Sequence, residues 1–294
     1  MPGAILPFPA EQSRPRRAPP PGAWDCHTHV FGPYARFPLA AERSYTPPEA
    51  TFDAHLAMLD RVGISHCVLV HPSAYGMDHS AMLDALDRSG GRMRGTAVAN
   101  AEVSDGELAA MHRSGVRALR FVETGGAGGQ RFAGAVGLDE FPRLAPRMKE
   151  LGWHAQVWAT CDTVMAASAV LLKPGIALVL DHMARFDAAR GTHDAHFRAL
   201  LGLVADGRVW VKMTPARNSK RFPGYEDVRP FQDALVRANP DRLLWGSDWP
   251  YLRMGEATPD AGHLLDLLDD WCGDDALREK ILAKNPARLY GCER

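Results

Sequence analysis

The chain has 294 residues, 46% of them hydrophobic and 23% charged, with a formal net charge of -1. This is an ordinary globular composition with enough apolar material for a large core, and its near-neutral charge makes nucleic acid and anionic membrane surfaces poor partners while leaving room for a local basic pocket. The five cysteines, Cys26, Cys67, Cys161, Cys272 and Cys292, are scattered with no CxxC pair, which argues against a disulfide framework or zinc knuckle and fits a reducing, cytoplasmic setting.

Residues 1–21 contain Pro7, Pro9 and a proline-rich stretch from Pro15 to Pro21. No apolar run there has the length of a signal or membrane-spanning segment. Proline excludes helix and central strand, so a loosely ordered lead-in is expected before a domain spanning 22–294. After Gly22, short apolar runs alternate with stretches of helical periodicity. Strands are predicted at Ala23–Val30, His66–His71, Met93–Ala99, Val116–Val122, His154–Ala159, Ile176–Asp181, Val209–Met213 and Leu243–Ser247. Helices are predicted to begin near Glu49, His79, Asp105, Asp139, Cys161, His193 and Tyr225, with Asp105 and Thr192 as N-caps. Gly63, Gly115, Gly152 and Gly175 stand just before strands, as helix C-cap glycines would.

Eight β/α units about 30 residues apart fit a single closed parallel (β/α)8 TIM barrel of the α/β class. An open doubly wound sheet could use the same alternation, but no GxGxxG follows the first strand. The glycine run Gly125–Gln130 lacks the Lys-Ser/Thr of a phosphate loop and reads as a flexible substrate loop. Two extra helical segments, Leu264–Trp271 and Asp274–Lys284, follow the last strand.

Ionisable residues gather at the predicted strand ends. The first strand ends Asp25-Cys26-His27-Thr28-His29, the sixth Asp181-His182 and the eighth Ser247-Asp248. Residues two apart in a strand share a face, so His27 and His29 point one way, beside Asp25. The C-terminal ends of barrel strands meet around one mouth, and burying so many polar groups without a use would cost desolvation for each. Asp248 can activate water or ligate a metal. His27, His29 and His182 can ligate the metal, or polarise a carbonyl and stabilise its oxyanion. Arg120 and Arg217 are suited to gripping carboxylates in a fork, with rim salt bridges as the lesser alternative. Ser73, Tyr45 and Tyr75 can offer hydroxyls to a substrate or serve their own loops. His154, early in strand five, reads as a core histidine near the barrel bottom. A barrel that only binds or scaffolds is the non-catalytic alternative.

The stretches DCHTHVFGP, LDH, LLWGSDWP and NPARLYG resemble the amidohydrolase superfamily, and more narrowly the branch containing 2-pyrone-4,6-dicarboxylate lactonase, over about residues 22 to 291. The resemblance implies the amidohydrolase (metal-dependent hydrolase) type of barrel and hydrolysis of the ester ring of a small carboxylated lactone. In it His27, His29, His182 and Asp248 take the catalytic positions, and Tyr45, Ser73, Arg120 and Arg217 the substrate-binding ones. It implies either no cofactor, with Asp248 activating water, or one divalent metal, zinc foremost, on His27, His29, His182 and Asp248. The alternatives are a zinc-dependent hydrolase or decarboxylase and a sugar-lactone isomerase. The sequence departs from the pattern after Arg120: a second arginine is replaced by Phe121–Gly126, leaving Arg131 as the candidate substitute, and Trp158 stands in place of a tyrosine. The subunit count is left open.

Overall fold

All eight predicted runs become parallel strands in the computed structural model, which describes residues 4–123 and 131–291. They are β1 (Trp24–Thr28), β2 (His66–Val70), β3 (Met93–Ala97), β4 (Val116–Val122), β5 (His154–Trp158), β6 (Leu178–Leu180), β7 (Val209–Met213) and β8 (Leu243–Trp245). The strands pair in chain order. The seam between β8 and β1 is joined just past the strand ends: Asp248 N donates to His27 O at 2.8 Å and His29 N to Trp249 O at 3.0 Å. Gly246 permits this approach, since a Cβ there would lie 2.7 Å from His27 Cβ. The architecture is thus an α/β barrel of the expected (β/α)8 type. The predicted glycine loop at Gly125–Gly129 lies outside the described residues.

The surrounding helices are α1 (Phe52–Val62), α2 (Ser80–Arg88), α3 (Asp105–Arg113), α4 (Phe141–Glu150), α5 (Cys161–Leu172), α6 (Ala195–Ala205), α7 (Arg229–Ala238) and α8 (Ala261–Cys272). Local chemistry sets their ends. Thr51 caps α1 through Ala54 N, and Gly63 closes it in the left-handed region at φ 79°. Two predicted caps shift. Ser104, not Asp105, caps α3 in a reciprocal capping box with Glu107, and Asp105 instead takes Arg147 at 2.7 Å. Asp194, not Thr192, caps α6, accepting from His196 N and Phe197 N. After α8 come α9 (Asp275–Glu279), a π-helical turn at Lys280–Lys284, and α10 (Asn285–Tyr290). No described helix is long and apolar enough to cross a membrane.

The larger apolar core lies between the strands and the helices. A smaller cluster, including Trp24, Cys26, Val68, Val179, Trp210, Leu244 and Tyr290, plugs the barrel below its polar upper layer. His154 belongs to this lower end, as expected, edge-on to Tyr290 with ring centroids 5.1 Å apart.

The lead-in expected to be loose is instead pinned along the barrel wall. Proline removes helix and ladder bonding from this segment, but its side chains remain able to dock. Ile5 bridges Thr46, and Phe8 sits edge-on to Trp249. Arg16 reaches Asp266 and Asp270, and Arg17 reaches Asp275. Gln12, only 4% exposed, accepts from Tyr251 Oη and from Ala261 N at the start of α8, both at 2.7 Å. Replacing Gln12 with Ala strands two buried donors, so a stability loss of about 1–3 kcal/mol is expected in chemical denaturation. An unchanged midpoint would show that the arm contributes nothing to the fold.

Candidate active site

The floor of the barrel mouth is a buried ion cluster centred on Asp181. Its Oδ1 lies 3.2 Å from His27 Nδ1 and 3.3 Å from Lys212 Nζ. Its Oδ2 accepts from Arg120 Nε and Nη2, both at 2.9 Å, and from Gln156 Nε2 at 3.0 Å. Lys212, fully buried, also donates to Gln156 Oε1 at 2.7 Å. Burial alone would raise the Asp181 carboxyl, but Lys212, His27 and Arg120 hold it well below the usual carboxylate range. Asp181 stands in the LDH stretch but takes no role from the sequence, and neither do Lys212 and Gln156, which the structure brings beneath the mouth with it.

Above this floor stand the residues expected to react. His27 Nε2 is 3.6 Å and His29 Nε2 3.5 Å from Asp248 Oδ1. Each ring's other nitrogen is engaged. His27 Nδ1 lies 3.2 Å from Asp181 Oδ1 and 3.5 Å from Lys212 Nζ, and His29 Nδ1 donates to Val70 O at 2.7 Å. With the proton on Nδ1, each ring turns an Nε2 lone pair toward Asp248, and His27 Nε2 has no hydrogen-bond partner among the described residues. Three acceptors converge on one point, an arrangement that calls for a shared water or a cation. His27, His29 and Asp248 place their donor atoms within 4.8 Å of one another. Separations of 3.5–3.6 Å are close to the edges of a tetrahedron with ligands about 2.0–2.2 Å from its centre. The donor set thus fits one divalent ion with a position left open. Asp25 does not join this group. β1 shifts register between Asp25 and Thr28, and Asp25 accepts from His27 N and Ser247 N, stapling β1 to β8. Burial pushes its carboxyl up to about 7.

Asp248 is held on its far side by Arg217, whose Nε lies 2.5 Å from Oδ2. Burial opposes ionisation of Asp248, yet Arg217 and His182 keep its carboxyl well below the usual range. His182 opens a run of four left-handed residues, His182, Met183, Ala184 and Arg185, with φ between 46° and 57°. Such a run costs about 1–2 kcal/mol per residue in L-amino acids. Two contacts of His182 hold the turn: Asn218 Nδ2 donates to His182 O at 2.7 Å, and His182 Nδ1 meets Thr214 Oγ1 at 2.9 Å. The turn carries both His182 and Arg185 to the same cavity.

That cavity measures about 280 Å³, at the small end for ligand sites, which suits a one-ring acid. His29, His182 and Asp248 form one side. Tyr45, Ser73, Arg120 and Arg217 line it as well, with the Tyr45 hydroxyl hydrogen-bonded to Ser73. Trp158 forms part of the wall beneath Arg120, whose guanidinium carbon is 4.9 Å from the ring. Two expected contributors are placed elsewhere. Tyr75 spends its hydroxyl accepting from Gly32 N at 2.7 Å. Arg131 pairs with Asp139 at 2.8 Å and Glu123 at 3.5 Å, outside the cavity lining. Arg185 and Arg253, which no motif singled out, line it instead.

The amidohydrolase family profile matches residues 24–292. The chain is 38% identical to a 4-sulfomuconolactone hydrolase of Rhizobium radiobacter, covering 96% of both chains. It is 35% identical to a 2-pyrone-4,6-dicarboxylate hydrolase of Comamonas testosteroni, covering 96% of this chain and 94% of that one. The crystal structure of a putative 2-pyrone-4,6-dicarboxylic acid hydrolase from Pseudomonas putida superposes with a TM-score of 0.79 at 30% identity, covering 93% and 98% of the two chains. With this barrel and this mouth, the protein belongs to the amidohydrolase family and is an enzyme of it. Within the family it is closely related to the 2-pyrone-4,6-dicarboxylate hydrolase branch.

Asp181→Asn leaves Lys212 and Arg120 buried without their counter-charge, and a loss of about 3–5 kcal/mol is expected by chemical denaturation; a loss under 1 kcal/mol would refute the cluster's structural role. Equilibrium dialysis against Zn²⁺ is expected to load one ion per chain at the mouth, lost in His27→Asn/His29→Asn protein that keeps its circular dichroism. Equal loading of both proteins would place the ion elsewhere.

Proposed function

We propose that the enzyme hydrolyses the ring ester of a small carboxylated lactone of the 2-pyrone-4,6-dicarboxylate kind. The observation that carries this reading is the convergence of Asp248 Oδ1 with the His27 and His29 Nε2 lone pairs at one side of a small cavity lined by arginines. The names of the similar hydrolases point the same way.

The tautomers suggest a division of labour. A water seated against Asp248 directs one O–H to Oδ1 and the other to an imidazole Nε2, which turns its lone pair to the cavity. Asp248 takes the proton as the oxygen attacks the lactone carbonyl. His182, whose Nδ1 contact is a hydroxyl able to donate or accept, can present Nε2–H to the oxyanion. Collapse breaks the acyl–oxygen bond, and the proton on Asp248 passes to the ring oxygen, leaving a hydroxyl or enol and a carboxylic acid that loses its remaining proton to solvent as a carboxylate. Arg217 and Arg120 hold carboxylate, with Ser73 and Tyr45 supplying hydroxyls. A substrate carboxylate that engages Arg217 would also loosen its hold on Asp248 Oδ2.

The same donor set favours a second reading, a zinc-dependent hydrolase, in which the ion would rest on His27, His29 and Asp248. When bound, zinc supplies Lewis acidity and lowers the pKa of a bound water. The scattered cysteines support cytoplasmic residence. Asp248→Asn is expected to lower kcat on such a lactone about 10²- to 10⁴-fold with the fold retained; near-normal turnover would remove Asp248 from the reaction.

A further inference from the structure

The cavity lining holds four guanidinium groups, Arg120, Arg185, Arg217 and Arg253, against the single carboxylate of Asp248. Two of the four are already committed. Arg120 is held by Asp181 behind the wall, and Arg217 by Asp248. Arg185 and Arg253 make no ion pair among the described residues. Arg185 is half-buried and Arg253 is exposed at the rim of the cavity, so the mouth presents two cations that no carboxylate of the described residues pairs. A monoanionic substrate would neutralise only one.

Arg253 is the more informative of the two. Asp248, Tyr251 and Arg253 all take left-handed backbone, at φ 68°, 59° and 65°. Three such non-glycine positions within six residues are held at an energetic cost, and strain of this kind collects where side chains must be aimed. Tyr251 is fixed by Gln12. Arg253 rests on Phe132, its guanidinium carbon 5.3 Å from the ring centre. Phe132 in turn stacks on Trp158 at 5.5 Å, and Trp158 lies under Arg120. A ladder of guanidinium, two flat rings and guanidinium thus runs along one wall. Such stacking holds a cation in place while its N–H groups stay free for an anion.

We propose that Arg253, braced on Phe132, is a specificity-determining residue that takes a second anionic group of the substrate, so that the enzyme prefers dianionic over monoanionic lactones. This deepens the lactone-hydrolase reading and rests on it. It also assigns to a residue of the β8 loop the position for which Arg131 looked suited in the sequence. A planar carboxylate or a sulfonate would both satisfy the guanidinium, and comparing substrates carrying each separates them.

Wild-type and Arg253→Met protein are compared on a lactone bearing one carboxylate and on its analogue bearing two. The ratio of kcat/KM for dianion over monoanion is expected to fall about 10- to 100-fold, mostly through KM. Arg253→Lys, which keeps the charge and loses the fork, should recover part of it. Arg131→Met should keep the wild-type ratio. An unchanged ratio in Arg253→Met, or a collapse of the ratio in Arg131→Met, overturns the assignment. Calorimetric binding of benzene-1,3-dicarboxylate against benzoate tests Arg253 independently of turnover. Wild type should favour the diacid and Arg253→Met should lose that preference. If wild type turns over no lactone but shows this preference, the hydrolase reading fails and the role of Arg253 stands. If lactones turn over and the preference is absent or unaffected, Arg253 is the part that fails.

Discussion

One buried carboxylate organises the mouth of this barrel. Asp181 is shared by Lys212, Arg120, Gln156 and His27 in a space closed to water. Each of those partners would be expensive to bury alone, and together they stabilise an anion that burial would otherwise neutralise. The arrangement has two effects at the surface above it. It braces the His27 ring from behind, 3.2 Å from Nδ1, and so aims Nε2 at Asp248. It also engages the inner guanidinium, Arg120, leaving the charge of the cavity to be settled by residues nearer the opening.

The remaining geometry follows from how the barrel is joined. β1 and β8 meet through backbone bonds at His27, His29, Asp248 and Trp249, and three of these, His27, His29 and Asp248, are the residues whose side chains face each other across the seam. The spacing of His27, His29 and Asp248 is therefore a property of the backbone join, and Gly246 allows the strands close enough to make it. The left-handed residues at 182–185 and in the loop after β8 then carry side chains inward that a regular strand or turn would point elsewhere.

Much of this was legible in the sequence. Eight short apolar runs about 30 residues apart pointed to the barrel, because each must cover a helix on one side and the interior on the other. His27, His29, His182 and Asp248 were legible as strand-end residues. Asp181 was not. Strand alternation puts neighbours on opposite faces, which would separate it from His182, and only the left-handed turn beginning at His182 brings both to His27. Arg131 looked suitable by its place in the chain, but Glu123 and Asp139 lie close enough to claim it. Arg253 and Arg185 sit in irregular loops, where periodicity carries no information about direction. The same holds for the N-terminal arm: its prolines announce what it cannot form, and say nothing of the carboxylates and carbonyls on which it docks.

The course of that arm has a practical corollary. Its described start lies beside Thr46 and Trp249 at the open face of the barrel, while the last helix ends with Tyr290 packed under Trp24 at the closed face. A bulky fusion partner or affinity tag attached ahead of residue 4 would emerge next to the route by which small molecules arrive. The same addition at the other terminus would hang from the opposite pole, which makes that end the safer handle for immobilising the enzyme on a surface.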